Sequence, residues 1–333
     1  MSDRWMQAIG NDRDVVISTR VSLTRNLADL PFPAAMTDEQ RRLLIARVTA
    51  PLESNGLLGL PWDSLPVWEQ QAMAERHLVS PAFAAGEELR AVFASANESV
   101  SVSVGARDHL KLQVLLPGLA LEEAYTTADT LDTALDKQLP YAFDSRLGYL
   151  TQSPADLGTA MHASVYLHLP ALQQSRFIYE LGSMVSKLGL SLHSVYGESS
   201  KGGSCLYQLS NRVTLGISEQ AAISNLAGLT RQIVKQERAA RESLVGQPGF
   251  EDRVWRSYGL MKHARLLGQD ESRALWSNLR VGVAQGLLKD LTLPALDTLL
   301  CDIGTAAVMT VIGADVETTE LERQRATIVR ERV

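Results

Sequence analysis

The chain has 333 residues, with 32 Lys and Arg against 38 Asp and Glu and a formal net charge of −6. That acidic balance excludes a general nucleic-acid binder, which needs surplus cations facing the phosphates, and the length favours two domains over one. The only cysteines, Cys205 and Cys301, exclude a disulfide framework or a cysteine metal site; the first residues are polar, and no apolar run is long enough to span a membrane. The expectation is a cytoplasmic protein with neither nucleic acid nor membrane as partner.

In chain order, Thr37-Asp-Glu-Gln40 has the form of a capping box. It predicts a helix whose Leu43, Leu44, Val48 and Leu52 fall at helical spacing. Residues 100–104 alternate with period two, and residues 110–116 begin that way, predicting two neighbouring strands. A helix is expected over 122–139, followed by a loop punctuated by Gly and Pro and a strand over 164–169. Phe177, Leu181, Met184 and Leu188 mark another helix, and strands are expected over 190–196 and 206–210. Strands interleaved with helices predict an α+β sheet covered on one side.

The texture changes near residue 218. Ser218 is a cap, a helical run continues to Val245, and Gln247-Pro248-Gly249 breaks it. Further helices are expected over 250–267, 270–288, 294–303 and from 316 to the end. The predicted organisation is therefore an α+β domain over 1–217 and an all-helical domain over 218–333, with no internal repeat.

The stretch Val16-Ile-Ser-Thr-Arg-Val-Ser-Leu-Thr-Arg-Asn-Leu27, ending at Pro31-Phe-Pro33, resembles the opening signature of the ATP:guanido phosphotransferases, the superfamily of creatine and arginine kinases. Further matches follow in the same order: Glu75-Arg-His-Leu-Val-Ser-Pro81, Asp108-His-Leu-Lys111, Leu116-Pro-Gly118, Tyr141 to Thr151, Leu157-Gly-Thr159 and Tyr196-Gly-Glu198. In the helical half, Gln236-Glu-Arg-Ala-Ala-Arg241 and Arg256-Ser-Tyr-Gly-Leu260 resemble the bacterial protein arginine kinases. The resemblance implies a phosphagen-kinase-like catalytic domain, an antiparallel sheet flanked by helices, followed by a helical domain that mediates homodimerisation. It also implies ATP with Mg2+ as cofactors and protein arginine side chains as substrates.

Phosphoryl transfer to a guanidinium needs cations around the triphosphate and carboxylates to orient and deprotonate the incoming nitrogen. By resemblance, five family arginines face the phosphates. Arg20 retains the first, whereas Ser22, Lys111, His162 and His193 stand at the other positions, and His77 matches a nucleotide-contacting histidine. If each lost contact is worth roughly 1–2 kcal/mol, the four approach about 4–8 kcal/mol, less whatever coupling within the cluster removes.

The family's catalytic glutamate position is Arg107, which puts a positive charge where a guanidinium should dock. Glu198 retains the other substrate-facing carboxylate. The family's reactive cysteine is Ser153, and the asparagine that follows is Asp156. Leu321-Glu-Arg-Gln-Arg-Ala326 resembles a phosphoarginine-sensing element, matched at Arg325 and Ala326 and conservatively at Glu322.

Other readings stand beside these. Arg20 has the alternative of a structural ion pair, His77 that of a packing histidine, and Glu198 that of a loop carboxylate. His109, His162, His193 and Asp156 are metal-ligand types, but drift from arginine to histidine explains the pattern more simply, so no metal is expected. In Ser199-Ser-Lys-Gly-Gly-Ser204 the lysine precedes the glycines, against the order of a phosphate loop. The charges of Gln236 to Arg241 are expected on a solvated helix face.

Losses on both sides of the reaction favour a pseudokinase, a binding or regulatory protein for arginine or phosphoarginine proteins, acting with a true arginine kinase or protease-adaptor machinery. The alternative is an active protein arginine kinase with an altered nucleotide site, in which Lys111, His162 and His193 replace arginines and Glu198 or Asp108 is the base.

Overall fold

Period-two patterning gathers the first half of the chain into one sheet. The computed structural model describes residues 5–196 and 203–333. Its strands are β1 (Val16–Arg25), β2 (Leu58–Leu60), β3 (Ala91–Ala94), β4 (Val100–Val104), β5 (Leu110–Pro117), β6 (Phe143–Asp144), β7 (Gly148–Tyr149), β8 (Met161–His168), β9 (Leu190–Ser194) and β10 (Leu206–Asn211). Eight of them form an antiparallel sheet in the order β2-β3-β4-β5-β1-β8-β10-β9, while β6 and β7 make a separate hairpin. The helices are α1 (Asp38–Ser54), α2 (Val67–Glu75), α3 (Pro81–Ala84), α4 (Leu121–Asp136), α5 (Pro170–Gln174), α6 (Phe177–Lys187), α7 (Glu219–Val245), α8 (Pro248–His263), α9 (Gln269–Ala284), α10 (Leu293–Asp302), α11 (Thr305–Ile312) and α12 (Thr318–Arg332).

Register divides the sheet into two chemically different faces, because residues directly opposite in antiparallel strands point the same way. Val21 and Leu23 of β1 lie opposite Val114 and Leu112 of β5 and Ala163 and Met161 of β8. This face is buried under α4, α6 and α7 in one continuous core that includes Leu131, Val185, Ile223 and Leu226. At its end Arg25 makes a forked pair with Asp132 of α4, with contacts of 2.6 to 3.1 Å. The opposite face carries Arg20, Ser22, Thr24, Lys111, Gln113, His162, Ser164, Tyr166 and Gln208.

The predicted caps form as the local sequence dictates. Thr37 and Gln40 close both bonds of a capping box on α1, and Ser218 caps α7 through the Ala221 N–H. The α7 stripe from Ala222 to Val234 belongs to the sheet's core, so that core extends beyond the change of texture at 218. A second core joins α8 to α12 around Trp276, Leu279, Leu296 and Val329. Helix α11 and the short strands β2 and β3 were not anticipated. No described helix is by itself long and apolar enough to cross a membrane.

One expectation is corrected. Within Gln236–Arg241, only part of the charge is solvated: Glu237 and Arg241 are buried where the halves meet. The Arg241 Nε donates to Glu237 at 2.7 Å, and its other nitrogens reach the carbonyls of Asp14 and His168 at 3.0 Å. Glu237 also accepts the Ala171 and Leu172 N–H groups at the start of α5. The four-residue spacing that suggests a surface pair serves equally well for a buried pair whose remaining bonds are made by distant backbone.

Candidate functional site

The polar face of the sheet opens into a cavity of about 740 Å³ lined by Arg20, His77, Lys111, Tyr166, Gln208 and, from the helical half, Arg273. Arg20 comes from β1, Lys111 from β5 and Tyr166 from β8. Alternation along Met161–His168 aims His162, Ser164 and Tyr166 towards this face and Met161, Ala163 and Val165 into the core. The Ser164 hydroxyl, opposite Arg20, is buried without a hydrogen-bond partner among the described residues.

His77 reaches the cavity through a helix ending. After α2 the Leu78 N–H bonds to the Met73 carbonyl at 2.9 Å and the His77 N–H to the Ala74 carbonyl at 3.0 Å. That is the paired bonding of a Schellman cap, with His77 at φ 65° in the left-handed position usually held by glycine. The Gln113 side-chain amide donates to the His77 carbonyl and ties the cap to β5. The imidazole stacks obliquely on Tyr166 with ring centroids 5.1 Å apart, and the Arg20 guanidinium carbon lies 5.5 Å from the same ring's centroid.

The electrostatics are those of crowded cations. Desolvation first, and the Arg20 charge second, lower His77 to about 4. The same two causes lower Lys111 to about 8, with Asp156 and Asp108 opposing. Arg20 and Lys111 make no hydrogen bond or ion pair with the described residues. A wall of positive charge whose donors no described residue takes up is complementary to a polyphosphate or phosphoryl anion.

The other predicted positions are less close together. Ser22 is buried and donates to the His162 carbonyl at 3.1 Å. The His162 ring is 2.9 Å from Asp156 and does not line the cavity. His193, opposite Gln208 on β9, lines a separate cavity with Arg176 and Tyr207. Arg107 is exposed in the β4–β5 turn. Glu198, like most of the Ser199 to Ser204 stretch, lies outside the described residues.

Asp108 and His109, beside Arg107, hold the turn in place. Asp108 accepts from the Asn26 amide at 2.7 Å and the Gln152 N–H at 2.8 Å. His109 Nδ1 accepts from the Leu27 N–H at 2.8 Å, which leaves its Nε2 to donate to the Pro31 carbonyl at 2.8 Å. Burial is the main cause that lowers the His109 pKa, so it stays neutral in that role. Among the described residues no three His, Cys, Asp or Glu side chains are grouped to hold a metal.

In the helical half, Arg325 is buried and bonds the carbonyls of Ile303 and Leu267, each at 2.9 Å. Ala326 is buried beside it, and Glu322 is half-buried with its carbonyl accepting the Leu267 N–H at 3.1 Å. Arg325 thus links α12 to the ends of two other segments.

Sequence reasoning missed Tyr166, Glu75 and Arg273. The alternation of β8 carried a signal for Tyr166. Glu75 sits within the motif that supplied His77, but its partners do not: its carboxylate accepts the N–H groups of Ala306 and Ala307, at 3.1 and 2.8 Å, at the start of α11. For Arg273 nothing local distinguishes it from other helix-surface arginines.

Comparison with known proteins gives a consistent result. The family described as ATP:guanido phosphotransferase, C-terminal catalytic domain, matches residues 59–240, and the one described as protein-arginine kinase McsB C-terminal domain matches residues 247–333. A protein-arginine kinase of Halothermothrix orenii is 37% identical over 334 residues, covering 99% of this chain and 96% of the relative. One from Moorella thermoacetica is 39% identical over 339 residues, covering 99% and 97%. Among solved structures, the duplicated taurocyamine kinase from Schistosoma mansoni with bound transition state analog components superposes with a TM-score of 0.64 at 21% identity. That match covers 75% of this chain and only 38% of the longer, duplicated one. Lombricine kinase superposes at 0.61 with 20% identity, covering 73% and 70%. These structural likenesses concern the fold.

Proposed function

We propose, from the premise that this chain belongs to the ATP:guanido phosphotransferase family and aligns throughout with its protein-arginine kinases, that it binds phosphoryl anions but is impaired in transferring them. The observation that carries this reading is the state of the carboxylates. Among the described residues lining the cavity the only one is Glu75, and both its oxygens accept backbone N–H groups of α11. The candidate position for a catalytic carboxylate is the exposed Arg107, and Asp108 is engaged by Asn26 and Gln152. A site whose described residues keep cations but offer no free base favours binding a phosphoryl group over activating a guanidinium.

ATP fits the cavity as a polyanion facing Arg20, Lys111 and His77. Mg2+ finds no cluster of ligands among the described residues and would be held by the nucleotide's own phosphates. The chain's role is then to bind arginine or phosphoarginine on proteins and to regulate a true kinase or the protease adaptors such kinases feed. It would act in the cytoplasm as a homodimer to which the exposed Trp255 and Leu260 of α8 offer apolar surface. The surviving cations also favour a second reading, in which Lys111 stands in for an arginine and Glu198 is the base of a working kinase.

The test is the full chain with Mg2+, labelled ATP and an arginine-bearing protein. The expected result is phosphoarginine binding without acid-labile phosphate appearing on arginine. Robust phosphoarginine formation that Glu198→Ala abolishes would overturn the impaired reading in favour of the second.

A further inference from the structure

Arg273 lies on α9, in the helical half, yet it lines the same cavity as Arg20, His77 and Lys111. Its guanidinium carbon is 3.8 Å from the centroid of the Tyr196 ring, which holds the side chain against an aromatic face. Among the described residues it pairs with Asp270, three residues back on the same helix, at 3.5 Å. Asp270 is 73% exposed, so solvent screens that pairing. The Gln269 amide, turned to accept, bonds the other terminal nitrogen at 2.9 Å, so that among the described residues this guanidinium is held only by partners on its own helix and by the ring.

The neighbouring arginines of the helical half differ. Arg280 gives its nitrogens to Asp297 and to the carbonyls of Asp14 and Arg13, and Arg325 gives its own to Ile303, Leu267 and Thr305. Arg273 alone of these three faces the cavity.

We infer that Arg273 is a phosphoryl-binding residue of this cavity, supplying from the helical half the bidentate fork that the sheet loses at Lys111. The inference rests on the reading that the cavity takes a phosphoryl anion. An arginine already stacked on an aromatic ring loses little further freedom when it binds, and its fork matches two phosphoryl oxygens where an ammonium offers a point charge. A ligand held between Arg20 and Lys111 on the sheet and Arg273 on α9 spans the two halves of the molecule, so its affinity depends on both.

Calorimetric titration of the full chain with tripolyphosphate, ATP and phosphoarginine tests this, with Arg20→Met, Arg273→Met and the exposed Arg256→Met compared at equal folded fraction. Arg273→Met is expected to weaken the bound anion about tenfold, and Arg20→Met at least as much. Arg256→Met should leave the affinity unchanged. Whichever of ATP and phosphoarginine binds more tightly identifies the source of the phosphoryl group.

If Arg20→Met weakens binding while Arg273→Met stays within about twofold of the parent, the inference fails and the cavity reading survives. If no probe binds the unaltered protein, both fail. Should Arg273→Met not fold, Arg273→Gln keeps a polar stem without charge and is expected to show the same loss. Parent-like affinity in that variant would overturn the inference.

Discussion

Two groups of cations in this molecule are treated in opposite ways: Arg13, Arg241 and Arg280 are buried among internal partners, whereas Arg20 and Lys111 are half-buried against a cavity. Where the sheet meets the helices, Arg13 and Arg280 converge on Asp297 at 3.1 and 2.8 Å, and Arg241 joins Glu237 and two carbonyls. His168 completes the cluster: its ring is 2.7 Å from the Ser277 hydroxyl, and burial, then Arg280 and Arg241, lower its pKa well below the ordinary value. In the cavity, by contrast, Arg20 meets the Tyr166 ring and Lys111 the field of Arg20, opposed by Asp156 and Asp108, and neither cation forms an ion pair with a described residue. Desolvating a cation is costly, so a fold that matches it throughout uses it as structure. A fold that leaves it unmatched keeps a place for an anion brought from outside.

The sharpest way to break this contrast is to unpair the junction. Asp297→Asn leaves Arg13 and Arg280 buried without their counter-charge, and the expected loss of unfolding free energy is about 3–5 kcal/mol, read by urea denaturation. Arg20→Met should do the reverse. Stability should stay within about 0.5 kcal/mol of the parent or rise, because no hydrogen bond or ion pair with a described residue is lost, while phosphoryl-anion affinity falls about tenfold or more. Equal destabilisation by the two substitutions would mean that Arg20 is a structural cation after all.

Titration sharpens the contrast from the other side. Lys111 sits at about 8 in the folded chain against its ordinary 10.5, so between those values the unfolded chain holds a proton that the folded chain has released. Stability should therefore rise with pH across that window, and Lys111→Met should flatten the rise. His77, at about 4 against 6.5, contributes in the same sense: stability falls as acid carries the pH from 6.5 towards 4. Anion binding should move oppositely, weakening as Lys111 loses its proton above about pH 8. A saturating anion should also shift both groups upward in an NMR titration.

How much of this was legible in the sequence depends on whether the information was local. Capping at Thr37 and Ser218, alternation in β4 and β5 and the helical spacing of α6 are local, and they appear where expected. The alignment of Arg20, His77 and Lys111 around one cavity followed from the family resemblance, because the individual residues do not reveal their shared register. What was hidden is tertiary. Glu237 and Arg241 look like any solvated pair four apart until Asp14 and His168 come from distant parts of the chain to bury them. Arg273 becomes part of a site only because α9 is docked beside the sheet's polar face, and α11 is held there partly by Glu75.

The smallest expected effect lies at the rim of the junction, where exposure separates from pairing. Arg238 bonds Asp14 through its Nε at 2.9 Å and Asp12 at 2.8 Å, contacts as short as those of Arg280. Its side chain is 45% exposed, however, whereas that of Arg280 is fully buried. Hydrogen bonding to Asp14 raises its pKa and desolvation opposes, so it remains charged. When it is removed, water can solvate Asp12 and Asp14, and Arg238→Gln should cost only about 0–1 kcal/mol in the same denaturation experiment. The cost should shrink further at high salt, whereas that of Asp297→Asn should barely move. If Arg238→Gln proved as damaging as Asp297→Asn, the number of short contacts rather than their isolation from water would be what makes a cation structural in this fold.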